Sequence, residues 1–276
     1  VSADLGVTAL TPPKREDGAG FASHLALLVP TRWGVWTAAL QGVFVPFDVM
    51  PLGNTVLLRG GFARDVTDDL YVGASLYGGG NFRNHTSAAF ALDVGLWYRL
   101  GSLGILKNPR LGVAVQNMGI TFRRDVPGIE NGSSSRFPGP FTTKVGFAAL
   151  FLDVRDWQGG FSADLCLPTF QNALIDLETQ VQYKRFALSL GWGVNVRQEK
   201  AGYHALAPSV GLSYRWTART SGIEFLRGQG WQQSDVTVSS AWKPLFENIQ
   251  AISGGITVNF GDRDIDAPVI TIGEAQ

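Results

Sequence analysis

The sequence predicts an all-β chain folded as a transmembrane antiparallel β-barrel of about fourteen strands. Three observations predict it: strands with one apolar and one polar face, their recurrence at membrane-spanning length, and connections that alternate between short and long. The first is clearest in 174–183, where Ile175, Leu177, Thr179, Val181 and Tyr183 alternate with Asp176, Glu178, Gln180 and Gln182. That is the two-residue period of a strand. The next segment continues it, with Phe186, Leu188, Leu190, Trp192 and Val194 set against Ala187, Ser189, Gly191, Gly193 and Asn195. A tight turn at Lys184-Arg185 would pair Tyr183 with Phe186, Leu177 with Trp192 and Ile175 with Val194, placing both apolar rows on one face. The opposite face sets Asp176 and Glu178 across from glycines.

Composition agrees. The 276 residues are 45% hydrophobic and only 17% charged, against roughly 25% charged in soluble proteins. The 23 basic and 23 acidic side chains cancel, so nothing points to nucleic acid. One cysteine and three histidines give neither a disulfide framework nor a Cys/His zinc set, and no cofactor is expected. No apolar run reaches the ~20 residues of a membrane helix and no signal peptide opens the chain, so an exported chain is read as mature or trimmed.

Strand-length segments fall near 19–30, 33–45, 54–64, 70–80, 86–99, 109–118, 141–152, 157–167, 174–183, 185–196, 206–216, 220–227, 234–242 and 252–261. Most have the ~9–11 residues a tilted membrane strand needs. Alternation recurs in Phe90/Leu92/Val94/Leu96/Tyr98, in Val145/Phe147/Ala149/Phe151 and in Val210/Leu212/Tyr214/Trp216. Connections at 30–32, 65–69 and Lys184 are short, whereas 119–140 and 197–205 are long, the pattern of periplasmic turns against outer loops. If short turns face the periplasm, strand 19–30 runs downward and needs a strand before it. Val1 to Leu10 could supply one, but the count then becomes fifteen, so one segment is false or another strand lies upstream. Trp33, Trp36, Trp97, Tyr98, Trp157, Tyr183, Tyr214, Trp216 and Trp242 fall near strand ends and suit two interfacial girdles. The organisation expected is an N-terminal strand or plug remnant over 1–18, a barrel over 19–261, and an exit tail or linker over 262–276. A soluble β-sandwich binding module is the alternative fold.

Two stretches resemble a known family. Ala89-Phe90-Ala91-Leu92-Asp93-Val94-Gly95-Leu96-Trp97-Tyr98 and Leu111-Gly112-Val113-Ala114-Val115-Gln116-Asn117-Met118-Gly119 resemble the paired motif of the FadL/PorV superfamily of outer-membrane barrels, closest to the FadL-like proteins of spirochaetes. The resemblance implies a fourteen-stranded barrel in the outer membrane that takes up long-chain fatty acids or similar hydrophobic nutrients past a plug. In the PorV-like branch it implies instead a docking, shuttle or structural component of protein secretion or surface assembly. The Asn-Pro-Ala motif of the family's plug region is absent, so gating residues cannot be carried over. Ser253-Gly254-Gly255-Ile256-Thr257-Val258-Asn259-Phe260 resembles the closing-strand signal read by the barrel-assembly machinery, which makes that machinery an expected partner alongside the outer-membrane bilayer.

Enzymatic chemistry finds no support. There is no Gly-x-Ser-x-Gly elbow, His-Glu-x-x-His, P-loop or Gly-x-Gly-x-x-Gly opening a helix, and His24, His85 and His204 are far apart in sequence. Asp176 and Glu178 share a face at roughly the ~7 Å of a glycosidase pair, but charge lining a lumen is the commoner use. Asn84-His85-Thr86 and Asn131-Gly132-Ser133 match the glycosylation sequon, which has force only in a eukaryotic secreted protein. For a long-chain fatty acid or other amphipathic lipid, the carboxylate should meet a lumen cation, because an unpaired charge in an apolar cleft is costly. Alternation nominates Arg99, Lys144 and Arg215 as ligand-binding, with Asp93, Asp164, Asp176 and Glu178 as the lumen charge network that pairs with them.

Overall fold

A computed structural model describes residues 1–12, 18–46, 54–82, 86–120, 141–200, 202, 208–219, 233–245 and 249–261. Among these lie fourteen strands: β1 (Ser2–Thr11), β2 (Gly20–Thr31), β3 (Gly34–Phe44), β4 (Thr55–Asp65), β5 (Leu70–Phe82), β6 (Thr86–Arg99), β7 (Lys107–Ile120), β8 (Thr142–Val154), β9 (Trp157–Pro168), β10 (Leu174–Tyr183), β11 (Phe186–Asn195), β12 (Ser209–Arg219), β13 (Gln233–Pro244) and β14 (Gln250–Phe260). One short helix, α1 (Val196–Lys200), follows β11. Each strand pairs antiparallel with its sequence neighbours and β1 pairs with β14, so the sheet closes into a barrel with no free edge.

The count of fifteen resolves simply. The N-terminal segment supplies β1, built into the wall between β14 and β2. The segment 220–227 lies outside the described residues, and β12 pairs directly with β13 from Val210↔Trp242 to Arg219↔Gln233, so the ring is complete without it. The 121–140 loop, His85, His204 and the tail beyond Gly261 also lie outside the described residues.

The β10–β11 hairpin has the register its sequence predicts, from Tyr183↔Phe186 to Ile175↔Val194, with Asp176 opposite Gly193 and Glu178 opposite Gly191. Lys184 opens its two-residue turn and Arg155 the turn between β8 and β9, each at φ 52°, the positive value a right-twisted hairpin takes at that position. These turns share one rim with Arg32-Trp33 and 66–69, and Phe260 N–H donates to the Val1 carbonyl there at 2.8 Å. At the opposite rim stand the C-terminal ends of β3 and β7, the N-terminal ends of β4 and β8, and the end of β11 that leads into α1.

Large apolar side chains face outward: Leu5, Leu25, Leu40, Leu58, Leu76, Val94, Leu177 and Leu212 are all exposed. A soluble sandwich would bury them between sheets, whereas here they form a belt around a closed wall, which only lipid can cover. Aromatic pairs border the belt at the short-turn rim, Trp36–Phe62 at 4.7 Å, Trp157–Tyr183 at 4.6 Å and Phe186–Tyr214 at 4.6 Å, and at the other rim Phe21–Phe44 at 4.6 Å. Trp97 is a correction to the expected girdle. It follows Leu96 and precedes Tyr98, both outward and exposed, so strand alternation turns it into the lumen, where it packs against Tyr71 at 4.8 Å. At the long-loop rim, Leu10, Val45 and Ile249 make a small buried apolar cluster with Val43, Leu245 and Ala251 around it.

Candidate functional site

The barrel encloses a cavity of about 1570 Å³. Its wall is built largely from the small side of the alternation: Gly61, Gly73, Ser75, Gly95, Gly112, Ala114, Gly146, Ser162, Ser189, Gly191, Gly193, Ser209, Ala241 and Ser253 all border it. Charged residues stand on that wall in distinct groups.

The first group crosses four strands. Asp93 on β6 accepts a hydrogen bond from the Asn117 backbone N–H on β7 at 2.8 Å and from the Ser75 hydroxyl at 3.4 Å, and it pairs with Arg59 on β4 at 3.4 Å. The Tyr77 hydroxyl donates to Asn117 Oδ1 at 2.9 Å, and the Arg59 guanidinium lies 5.3 Å from the Tyr77 ring centroid. Asn117 sits at φ 62° where the β6–β7 register slips between Leu92↔Met118 and Val94↔Val115. That is a β-bulge, with two residues of β7 opposite Asp93. Asp93 is therefore the acceptor that holds the bulge. At Gly119, two residues on, a Cβ would run into the Phe90 carbonyl and Ala91, so the strand there admits only glycine. These contacts give the Asp93…Asn117-x-Gly119 pattern a structural reason.

Two further charge groups are closed on themselves. Arg215 Nε donates to Asp235 Oδ2 at 3.0 Å, its NH2 nitrogen pairs with the same oxygen, and the Thr217 hydroxyl donates to Asp235 Oδ1 at 3.3 Å. Asp235 is 1% exposed. At the seam where the barrel closes, Asp4 on β1 binds His24 on β2 and accepts from the Thr257 hydroxyl on β14, linking three strands.

The fourth group is different in kind. Asp164 and Asp176 are directly opposite on β9 and β10, Glu178 is opposite Ser162, and Lys144 on β8 is opposite Cys166, all bordering the cavity. Lys144 makes no ion pair within 4 Å among the described residues. Among the described residues no cluster of His, Cys, Asp and Glu is arranged to hold a metal ion.

The structure thus separates the three nominated cations. Arg215 is held by Asp235, and Asp93, expected to pair within the nominated set, takes Arg59 instead. Arg99 lies at the short-turn mouth, 5.4 Å from the ring centroids of both Tyr71 and Trp97. Lys144 alone of the three faces the mid-wall acids. Arg59, Asp235 and the Asp4–His24 pair were missed from sequence, and Asn117 entered only through the family resemblance, without its contact to Asp93. Parity would have placed Arg59 and Asp235 inward, since each follows the alternation of its strand.

No protein-family model matches the chain, and no curated protein matches it. The fold and its lipid-facing belt define an outer-membrane β-barrel. Among solved structures the chain is similar to the TodX ΔS2S3 mutant, a monoaromatic hydrocarbon channel (TM-score 0.51, 10% identity, 95% of this chain and 90% of that one). It is similar also to the Ralstonia pickettii toluene transporter TbuX (0.50, 11%, 94% and 89%) and the Pseudomonas putida toluene transporter TodX (0.50, 10%, 95% and 89%). At such identities the likeness is one of fold.

Proposed function

We propose that this barrel is an outer-membrane channel for hydrophobic and amphipathic compounds, and that its cargo is a long-chain fatty acid or a similar carboxylated amphiphile. The observation that carries the reading is Lys144, a lumen-facing ammonium with no ion-pair partner among the described residues, on the wall of a cavity large enough for an acyl chain. A carboxylate entering this space gains a charge-assisted hydrogen bond there that it finds at neither Arg215 nor Arg59, whose carboxylates are already in place. The toluene transporters of like fold agree with a hydrophobic cargo, and the Asp93…Asn117-x-Gly119 motif supports the resemblance to the FadL-like proteins of spirochaetes. Because Ser2–Thr11 is a wall strand, those residues do not plug the bore.

The test is mass spectrometry of lipids retained by the detergent-purified, heat-modifiable barrel, with an unrelated barrel purified alongside. Selective enrichment of free fatty acids, reduced in Lys144→Gln, is the expected result. A folded barrel that enriches none overturns the proposal and favours the docking role of the PorV-like branch.

A further inference from the structure

The short-turn mouth holds a second cationic group that the lumen chemistry above does not use. Arg99 ends β6 and is directly opposite Arg110 on β7. Like charges in direct cross-strand register repel, yet both guanidiniums are gathered about one ring. Their central carbons lie 5.4 Å and 5.9 Å from the Trp97 centroid, and Arg99 is also 5.4 Å from that of Tyr71. Trp97 and Tyr71 pack on each other at 4.8 Å and both border the cavity. An arginine stacked on aromatic faces spends its flat surface and keeps its in-plane N–H donors, held in a fixed fork. Those donors are open: among the described residues the Arg99 side chain has no ion pair, although Asp65 at the end of β4 and Asp68 and Asp69 on the turn that follows stand exposed. Arg110 has a further interaction of its own, so it contributes the second positive charge rather than free donors.

We infer that Arg99, preorganised by Trp97 and Tyr71 and reinforced by Arg110, forms a carboxylate-binding site at the short-turn mouth, distinct from Lys144 and receiving an organic acid as it leaves the lumen. This rests on the barrel being a channel for carboxylated compounds. The bidentate match between guanidinium and carboxylate supplies the recognition, and the second arginine makes the local potential more positive, which favours the anion.

The test uses 4-fluorobenzoate as probe, followed by fluorine NMR on the full-length, detergent-purified barrel, with heat-modifiability as the check on folding. In Lys144→Gln, where only the mouth site remains, saturable binding is expected to persist. Adding Arg99→Gln should weaken it roughly tenfold or more, the loss of a hydrogen bond to a charged group. Arg99→Lys, which keeps charge but not the fork, should recover only part of it. Binding in Lys144→Gln/Arg99→Gln as tight as in Lys144→Gln overturns the inference. Binding abolished by Lys144→Gln alone also overturns it, while leaving the proposed channel function standing. Loss on Arg99→Gln with Lys144→Gln matching the unsubstituted chain supports the mouth site and removes Lys144 as the anchor. Equal affinity for 4-fluorobenzyl alcohol, or equal displacement by inorganic phosphate and by benzoate, would overturn the assignment to carboxylates.

Discussion

Leu177 and Glu178 are adjacent on β10, and the barrel assigns them opposite solvents. Leu177 is 50% exposed on the outer face beside Trp192, while Glu178 borders the lumen across from Gly191. Placing the same arginine at each position isolates the face from everything else. β10 has 10 residues, and at about 3.4 Å per residue and a tilt of about 40° it crosses roughly 26 Å, the height of an apolar belt. Leu177, the fourth residue, lies about 8 Å below the long-loop end of the strand and about 5 Å from mid-depth. An arginine at the midplane of such a barrel costs about 2–4 kcal/mol and near the interface about 0–1, so Leu177→Arg should cost about 2 kcal/mol, about a thirtyfold fall in the folding constant. Glu178→Arg, facing water and replacing one of three neighbouring carboxylates, should stay within about 0.5 kcal/mol of the parent. Reversible urea unfolding from lipid vesicles measures both. Equal costs, or a larger one for Glu178→Arg, would refute the assignment of faces for this hairpin and with it the lumen network built on the same parity.

The Asp93 knot should behave as one unit: Asp93→Ala is expected to cost about 1–3 kcal/mol by orphaning the Asn117 N–H. Arg59→Gln should cost under about 1 kcal/mol because that side chain is 40% exposed, and a double-mutant cycle should show coupling between them; strict additivity would argue against the knot. Asp235→Ala should be more damaging, about 3–5 kcal/mol, since it strands Arg215 beside a buried site. The joint replacement Arg215→Met/Asp235→Leu should restore much of that loss in the same urea assay, and failure to do so would locate the cost in packing rather than in unpaired charge.

Face was legible in the sequence wherever alternation ran unbroken, and the β10–β11 hairpin could be registered residue by residue from its turn. Trp97 was also legible, since the run Phe90/Leu92/Val94/Leu96/Tyr98 fixes its neighbours outward; its expected place in a girdle came from residue type, which parity overrides. Two things were not legible. The first is the bulge at Asn117, because one extra residue reverses the alternation and no local signal separates it from a regular strand; only the Asp93 acceptor across the ladder accounts for it. The second is the pairing of charges. Parity places Arg59, Asp93, Arg215 and Asp235 inward, but strands tilt and stagger around a barrel, so residues on one face meet only if they share a height. Arg59 reaches Asp93 across β5, two strands away, which no hairpin rule predicts.

The 34 glycines connect composition to function through volume more than through backbone freedom. A Cβ on Gly193 would stand 2.8 Å from Asp176 Oδ1, one on Gly191 would stand 2.6 Å from the Ser209 hydroxyl, and one on Gly146 would strike the Asp164 carboxylate. In each case the polar side chain lies flat across the glycine of the next strand instead of projecting into the bore. Hence a wall that carries several carboxylates still encloses an open cavity. Under the proposed channel function, the same arrangement sets where charge would be offered to a passing carboxylate. Carboxylates folded onto glycines line the wall, Lys144 stands beside them without an ion pair among the described residues, and Arg99 and Arg110 gather at the mouth. A carboxylate would therefore meet its strongest attraction at discrete stations rather than along the whole bore. Binding weak enough to release at each station is what the proposed channel would require, and the glycines beneath Asp164 and Asp176 leave the space between the stations open.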